Sequence, residues 1–234
     1  KKARIMLDEA GFTDAKDMAT KMVREYETMI KSVEKYGGFY IGRYELSGTV
    51  DNPTEKTGTT ITKKTWYELY NACKKIGAKS DGSDKEGIAT RMIWGCQWDA
   101  TCDFIATKGE RKDITKSITW GNYANYNTSN NYTEGTTGYV KDAGTKQDTG
   151  TSEYWKANNI YDIAGNCFEW TQEALYTDCR AIRGGNCSSN GSINPASFRS
   201  SSGPTSSNYD NWRFSSHFNN YYWNLERGNQ WKEE

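Results

Sequence analysis

The first regular pattern of apolar positions lies near the start of the chain. Between residues 14 and 35, six apolar side chains recur at the spacing of one helical face: Met18, Met22, Tyr26, Met29, Ile30 and Val33. Asp14 is a residue type that caps a helix start, and Gly37-Gly38 stop the pattern. The spacing predicts a helix over 14–35 within an N-terminal segment 1–37. We expect this segment to pack on the domain that follows it; the alternative is the end of a stalk from a longer protein.

Short strands and two further helices are predicted between residues 38 and 107. Residues 39–45 are rich in β-forming types. Thr65 opens a helix with Glu68 at the capping-box position, and a short strand at 91–93 precedes a helix over 94–107. The inward positions of that last helix are Trp98, Cys102 and Ile105. Helices beside short strands indicate the α+β class.

A long polar stretch occupies residues 108–156. A structureless loop of this length is uncommon in a compact domain, so we expect irregular but ordered backbone. The aromatic anchors of this stretch are Trp120, Tyr123, Tyr126, Tyr139 and Trp155. The aromatic tail after Arg213 is likewise expected to pack.

Composition limits the classes of function. The chain has 234 residues, 14% aromatic side chains, and 30 basic against 30 acidic residues, with a mean hydropathy of −0.92. The aromatic content argues against disorder. The balanced charge without a basic stripe argues against nucleic acid and anionic membranes as partners, and no apolar run reaches membrane-spanning length. One domain over 38–234 is predicted, and because the sequence starts without Met we expect it to be a piece of a longer protein.

One window has an unusual residue usage. Residues 186–211 contain no Lys, Glu, Gln, Met or Trp, although these five types make up roughly a quarter of the whole chain. Ser, Asn, Gly and Thr take their place. Such a composition is typical of a flexible linker, and equally of a binding loop.

The motifs just upstream resemble a known family. Residues 159–171 read N-I-Y-D-I-A-G-N-C-F-E-W-T and residues 180–186 read R-A-I-R-G-G-N. They resemble the N-x-Y-D-M-x-G-N-x-W-E-W-T … R-x-x-R-G-G-S pattern of the formylglycine-generating (sulfatase-modifying) family. The resemblance covers about residues 38–214. It implies an α+β, C-type-lectin-like fold that is rich in loops, with short β-sheets and two or three helices.

A subset of that fold provides an explanation for the missing residue types. The N-P-A-S-F-R of residues 194–199 and Pro204-Thr205 resemble the variable proteins of diversity-generating retroelements. In those systems adenines are randomised during reverse transcription, and an AAC codon cannot become Lys, Glu, Gln, Met or Trp. A linker has no reason to exclude Glu or Gln. The family's G-F-R is N-W-R here at 211–213, which puts the register of the last strand in doubt.

This resemblance implies a non-catalytic binding module with a variable region at about 186–214. Its candidate ligand-binding positions are Cys187, Ser188, Ser189, Asn190, Ile193, Phe198, Ser200, Ser201, Ser202, Gly203, Ser206, Asn208, Tyr209 and Asp210. Ile193, Phe198 and Tyr209 are expected to be the energetic anchors. The partner would be a protein or surface ligand, met by display on a phage particle or a bacterial cell surface.

Residues between the variable positions are expected to form a fixed frame: Gly191-Ser192, residues 194–197, Arg199 and Pro204-Thr205. Arg183, Arg199 and Arg213 are predicted to tie loops together through backbone carbonyls. A cluster for an acidic ligand is the alternative role for these arginines.

Catalytic chemistry has little support in the sequence. The family's oxidase activity needs two cysteines after R-G-G, and ungapped alignment puts Ser189 and Asn194 there, neither of which provides a thiolate. His217 is the single histidine, so the family's three-histidine iron chemistry is excluded. The alternatives to a binding module are an enzyme of this fold with displaced catalytic residues and a carbohydrate-binding lectin of fixed specificity.

No cofactor is expected to be required, although the resemblance implies a possible structural calcium site. Asp162 and Glu169 would supply carboxylate oxygens, and Gly165 and Cys167 backbone carbonyls, which suit Ca²⁺. The alternative is that Glu169 makes internal hydrogen bonds. The six cysteines are expected to be mostly free, buried thiols; disulfides are the alternative if the protein is exported.

Overall fold

The computed structural model describes residues 2–85, 87–124, 144–207, 214–215 and 218–221, with backbone alone at 2–5, 214–215 and 218–221. Four α-helices lie in these residues: α1 Lys2–Glu9, α2 Ala15–Tyr36, α3 Trp66–Ile76 and α4 Gly95–Thr107. The strands are β1 Tyr40–Ile41, β2 Ser47–Gly48, β3 Pro53–Thr54, β4 Ala89–Met92, β5 Lys156–Ala157, β6 Ile160–Tyr161, β7 Phe168–Tyr176, β8 Cys179–Arg183, β9 Arg199–Ser202, β10 Phe214–Ser215 and β11 Phe218–Tyr221. The α+β class is therefore confirmed.

The three predicted helices form where the local pattern placed them. The Asp14 carboxylate accepts a hydrogen bond from Asp17 N (2.8 Å), and Gly37 ends α2 with a φ of 79°. Thr65 and Glu68 form the expected capping box of α3. In α2 and α3 a local apolar stripe coincides with local end signals, so local sequence and tertiary structure favour the same helices.

Two local predictions need correction. Helix α1 was not predicted; it is short, and Asn71 Nδ2 of α3 donates to Glu9 O at its end (2.7 Å), so contacts distant in sequence hold it. The strand predicted over 39–45 is β1, of two residues. Beyond β1, Arg43 O accepts from Tyr161 N (2.8 Å) and Glu45 N donates to the Thr149 hydroxyl (3.1 Å). These loop contacts replace the ladder bonds of a longer strand.

The main sheet has the strand order β10-β7-β8-β9. Strands β7, β8 and β9 are antiparallel neighbours, and β10 runs parallel to β7. A second sheet has the order β1-β11-β4, and β2-β3 and β5-β6 are two-stranded ribbons. Within the described chain, β9 is therefore an edge strand of the main sheet.

Two hydrophobic clusters hold these elements. One joins the methionines of α2 to Trp66 and Leu69 of α3 and to Trp170 and Ile182 of the main sheet. The other lies around Trp98 of α4 and the loops of residues 114–124 and 157–164, with Ala196 at its border. Indole N–H groups connect the clusters to the main chain: Trp66 Nε1 donates to Thr171 O and Trp98 Nε1 to Ala196 O, both at 2.9 Å.

The long polar stretch is ordered where it is described. Trp120, Tyr123 and Trp155 are buried, as predicted, and short 3₁₀ turns form at Ser117–Thr119 and Glu153–Trp155. Tyr126, Tyr139 and residues 222–234 of the aromatic tail lie outside the described residues. No helix in the described part of the chain is long and apolar enough to span a membrane.

Trp66 provides a test of the core. It is fully buried, so we expect Trp66→Ala to lower the free energy of unfolding by about 3–5 kcal/mol, measured by urea denaturation. Val23→Ala on α2, at a side chain 57% exposed, is the control and should change the free energy by less than about 0.5 kcal/mol. Equal effects of the two substitutions would contradict this description of the core.

Candidate functional site

The candidate variable loop begins at a sharp turn after β8. Gly184 and Gly185 have φ values of 82° and 75°, a region that side chains with a Cβ rarely adopt. A Cβ on Gly185 would also overlap the carbonyl oxygen of Asn194. The turn thus needs glycine for two reasons, and it brings residues 186–198 back across the second hydrophobic cluster.

Main-chain hydrogen bonds fix the path of this loop. Cys187 N donates to Asn166 O (2.9 Å), Ser189 O accepts from Ala124 N (3.0 Å) and Gly191 O accepts from Ser117 N (2.9 Å). Further along, Ser197 N donates to Ile114 O (3.1 Å). Every donor and acceptor in these four bonds belongs to the backbone, so the bonds themselves do not depend on which side chains the loop carries. Within the loop, the Asn186 and Asn190 side chains add bonds from Ser188 N (3.0 Å) and Ser192 N (2.8 Å).

The predicted contact residues differ in exposure. Ser188, Asn190 and Ile193 are exposed, Ile193 to 69%. Half-buried positions are Ser189, Phe198, Ser200, Ser201, Ser202, Gly203 and Ser206. Asn208, Tyr209 and Asp210 lie outside the described residues.

Cys187 requires a correction. The sequence placed it on the contact face, but its side chain is completely buried. Its N–H bond to Asn166 O draws residue 187 against the 159–171 motif, and burial raises the pKa of its thiol. Cys187 therefore contributes to packing beneath the loop, where a ligand cannot reach it.

The serines of β9 point to opposite faces of the sheet. Ser200 and Ser202 pair with Ile182 and Arg180, which lie on the α3 side; the Arg180 guanidinium is 4.7 Å from the Trp66 ring centre. Ser201 lies between them and so faces the other side. On that side Arg183 forms an ion pair with Asp99 of α4. The strand thus presents predicted contact positions to both faces.

The arginines predicted as scaffold divide into two kinds. Arg183 is 2% exposed, pairs with Asp99, and lies 5.9 Å from the Trp98 ring centre, so it is part of the interior. Arg199 has 46% of its side chain exposed and pairs with Glu173. It ties a surface strand to β7 through an ion pair, which differs from the predicted bond to backbone carbonyls. Arg213 lies outside the described residues.

Two carboxylates of the 159–171 motif, and one that bonds to this motif, are buried. Glu45, Asp162 and Glu169 are at most 1% exposed. Burial, followed by the charges of Asp162 and Glu169, raises the pKa of Glu45 well above its usual range, and burial with Asp162 does the same for Glu169. Asn166 Nδ2 donates to Glu45 Oε2 (2.7 Å). Sequence reasoning missed Glu45, whose only signal was its place beside the opening strand.

The predicted calcium ligands can be compared with this arrangement. The Thr149 hydroxyl and Gly150 N donate to Asp162 Oδ2 (2.9 and 3.1 Å). No group of three or more His, Cys, Asp or Glu side chains in the described residues gathers closely enough to hold a metal, so the carbonyls of Gly165 and Cys167 would have to complete the site. Hard oxygen donors fit Ca²⁺, and a divalent cation would relieve the mutual repulsion of the carboxylates. Calcium here stays a prediction.

Ser189 and Asn194, which align with the two catalytic cysteines of formylglycine-generating enzymes, make hydrogen bonds within the loop. The Ser189 hydroxyl donates to Asn186 Oδ1 (2.8 Å), and Asn194 N donates to Asn190 O (2.8 Å). Both residues therefore take part in the hydrogen bonds that shape the loop. His217 lies outside the described residues.

Two solved structures are similar to the chain in part. PvdO from Pseudomonas aeruginosa is 13% identical, with 78% of this chain and 80% of that chain covered and a TM-score of 0.48. Treponema denticola variable protein 1 is 14% identical, with 74% of each chain covered and a TM-score of 0.43. Both TM-scores lie below 0.5, so neither likeness assigns a function to this chain. No protein-family model and no curated protein matches the sequence.

Calcium binding can be tested by thermal unfolding. If Asp162 and Glu169 hold Ca²⁺, the ion at a hundred times its Kd should stabilise the fold by about 2.7 kcal/mol relative to protein in chelator. Asp162→Asn should remove this difference, whereas Asp51→Asn, at a side chain 86% exposed, should keep it. Identical melting curves with calcium and with chelator would eliminate the site.

The buried carboxylates also predict a pH dependence in chelator. The folded pKa of Glu45 is raised, so its contribution to stability is fully present below the unfolded pKa of about 4.3 and is lost as pH rises through the folded value. Glu45→Gln should therefore become more stable relative to the unchanged protein as pH rises from 5 to 8, measured by urea denaturation. Glu34→Gln, at an exposed position of α2, is the control. A pH-independent difference would contradict the raised pKa.

Proposed function

We propose that this chain is a non-catalytic ligand-binding module with a contact surface diversified by retroelement-driven adenine mutagenesis. One observation carries the proposal: the segment that lacks Lys, Glu, Gln, Met and Trp is attached to the rest of the fold through backbone hydrogen bonds. Residues 187, 189, 191 and 197 are attached to neighbouring segments through main-chain hydrogen bonds, which leaves exposed side chains such as Ser188 and Ile193 free to change. A segment of this kind tolerates many sequences on one fold.

The surface chemistry supports recognition of a protein or surface ligand. Ser188 and Asn190 offer adaptable hydrogen-bonding groups, and Ile193 offers an exposed apolar side chain. Phe198 is half-buried with its ring 5.9 Å from that of Phe168, so its remaining surface is held rigidly. Rigid apolar anchors among small polar side chains are typical of paratopes.

A binding module of this kind would act as part of a longer protein displayed on a phage particle or a bacterial cell surface. The glycine turn and the backbone contacts of the loop would be the same in every sequence variant. The exposed side chains would differ between variants, and the partner would differ with them. The partner is therefore set by selection on the variable side chains. Calcium-dependent binding of glycans would instead favour a lectin of fixed specificity, and copper-dependent oxidation of a cysteine peptide would favour an enzyme.

The coding sequence provides a direct test of diversification. We expect a near-copy of the codons for residues 186–214, with AAC at the variable positions, beside a reverse transcriptase gene. Sequencing of related isolates should show changes confined to adenine positions of that copy. A locus without both features would remove the basis for hypervariability.

The division between variable and supporting positions predicts two stability classes. Replacing Ser188, Ile193, Ser201 and Ser206 together by Ala should leave the free energy of unfolding within about 1–2 kcal/mol, because each side chain is exposed or half-exposed. Gly185→Ala in the same loop should cost at least about 2 kcal/mol, since φ is positive and a backbone oxygen occupies the Cβ position. Urea denaturation measures both. Unfolding of the fourfold variant with tolerance of Gly185→Ala would reverse the assignment.

A further inference from the structure

Strand β9 has a free edge in the described structure. It pairs with β8 along one side, with the register Arg183↔Arg199 to Arg180↔Ser202, and among the described residues it has no strand neighbour on the other. An edge strand carries a row of backbone N–H and C=O groups that are suited to pairing with another extended chain. Because β9 consists of Arg199 followed by three serines, no large apolar side chain blocks the approach.

The placement of the serines restricts how a ligand can reach them. Ser200 and Ser202 lie on the α3 side of the sheet and Ser201 lies on the α4 side. All three are half-buried. A single ligand surface that contacts both sides must therefore straddle the edge, where it meets the outward backbone groups of β9.

Both ends of the strand are fixed before any ligand arrives. At its start, Arg199 pairs with Glu173 of β7. Just beyond its end, Pro204 O accepts a hydrogen bond from Trp66 N at the first turn of α3 (3.1 Å). A strand held at both ends loses little conformational freedom on pairing, which favours binding.

We propose that partners bind by adding an extended segment to the free edge of β9 as a fifth strand of the main sheet. This inference rests on the proposed binding function and specifies its geometry. The partner class is a protein segment in β conformation, because a row of alternating backbone donors and acceptors is complementary to another extended backbone. Main-chain bonds supply affinity that is the same for every variant, and the serine positions supply the selectivity that diversification changes.

Proline and alanine at the same position separate backbone from side-chain recognition. Proline removes the N–H and is tolerated in an edge strand where that N–H faces outward. Neighbouring residues alternate in direction, so among Ser200→Pro, Ser201→Pro and Ser202→Pro at least one should keep the melting temperature within about 3 °C. Alanine at that same position keeps the N–H and is the matched control. The probe is a set of linear dodecapeptides selected on the purified chain from a phage-displayed random library.

Strand addition predicts that the tolerated proline variant binds the selected peptides at least tenfold more weakly than its alanine counterpart. N-methylation along a peptide should weaken binding at alternate residues, a pattern that does not depend on any variant of the protein folding.

Equal binding by proline and alanine variants, or N-methylation without a two-residue period, would overturn strand addition while leaving side-chain recognition intact. Unchanged binding by both variants and by the fourfold alanine variant would instead reject the proposed function. Failure to recover any such peptide would also overturn strand addition.

Discussion

The structure depends on how backbone hydrogen bonds attach residues 184–198 to the rest of the fold. The two glycines reverse the chain after β8, and backbone bonds to Asn166, Ala124, Ser117 and Ile114 then fix its course. An unpaired buried backbone group is costly, so these bonds define one path. Because these bonds do not use the loop's side chains, exposed side chains such as Ser188 and Ile193 can change without breaking them. Asn186 and Ser189 have less freedom, since their side chains bond to each other within the loop. The same constraint explains why a serine-rich segment here is ordered, and is not a linker.

Two buried tryptophans connect this part of the chain to the interior through hydrogen bonds. Trp98 donates to Ala196 O, and Trp66 donates through its indole to Thr171 O and through its backbone to Pro204 O. Residues 196 and 204 are thus attached to two tryptophans that are themselves fully buried. If the exposed residues of 186–214 vary as proposed, the domain would stay stable because this aromatic core lies outside that segment. Cys187 marks the limit of this freedom, since a buried position tolerates few replacements.

Local features of the sequence predicted most of the helices, while distant contacts determined the rest. The stripe of α2 and the capping box of α3 are each encoded within a few residues, so both could be identified without a structure. The approach of Glu45 to Asn166 joins residues 121 positions apart, and no periodicity reports such a pairing. The shortness of β1 and the burial of Cys187 have the same origin. Residue usage could identify the loop, but only the sheet register could show which serines face which side.

Strand β9 lies at the edge of the main sheet in the described structure, and this position affects how freely its side chains can be exchanged. Side chains in the middle of a sheet are surrounded by neighbours on both sides and cannot be exchanged freely. At an edge, each side chain has open space on one flank while the backbone remains paired on the other. Short length and a charged side chain are devices that restrain unwanted edge pairing, and β9 has both. Among the described residues this edge has no strand neighbour, and under the proposed strand addition its outward backbone groups would pair with a segment whose side chains fit the serines. Selection acting on Ser200, Ser201 and Ser202 would then alter which segment fits without rebuilding the strand.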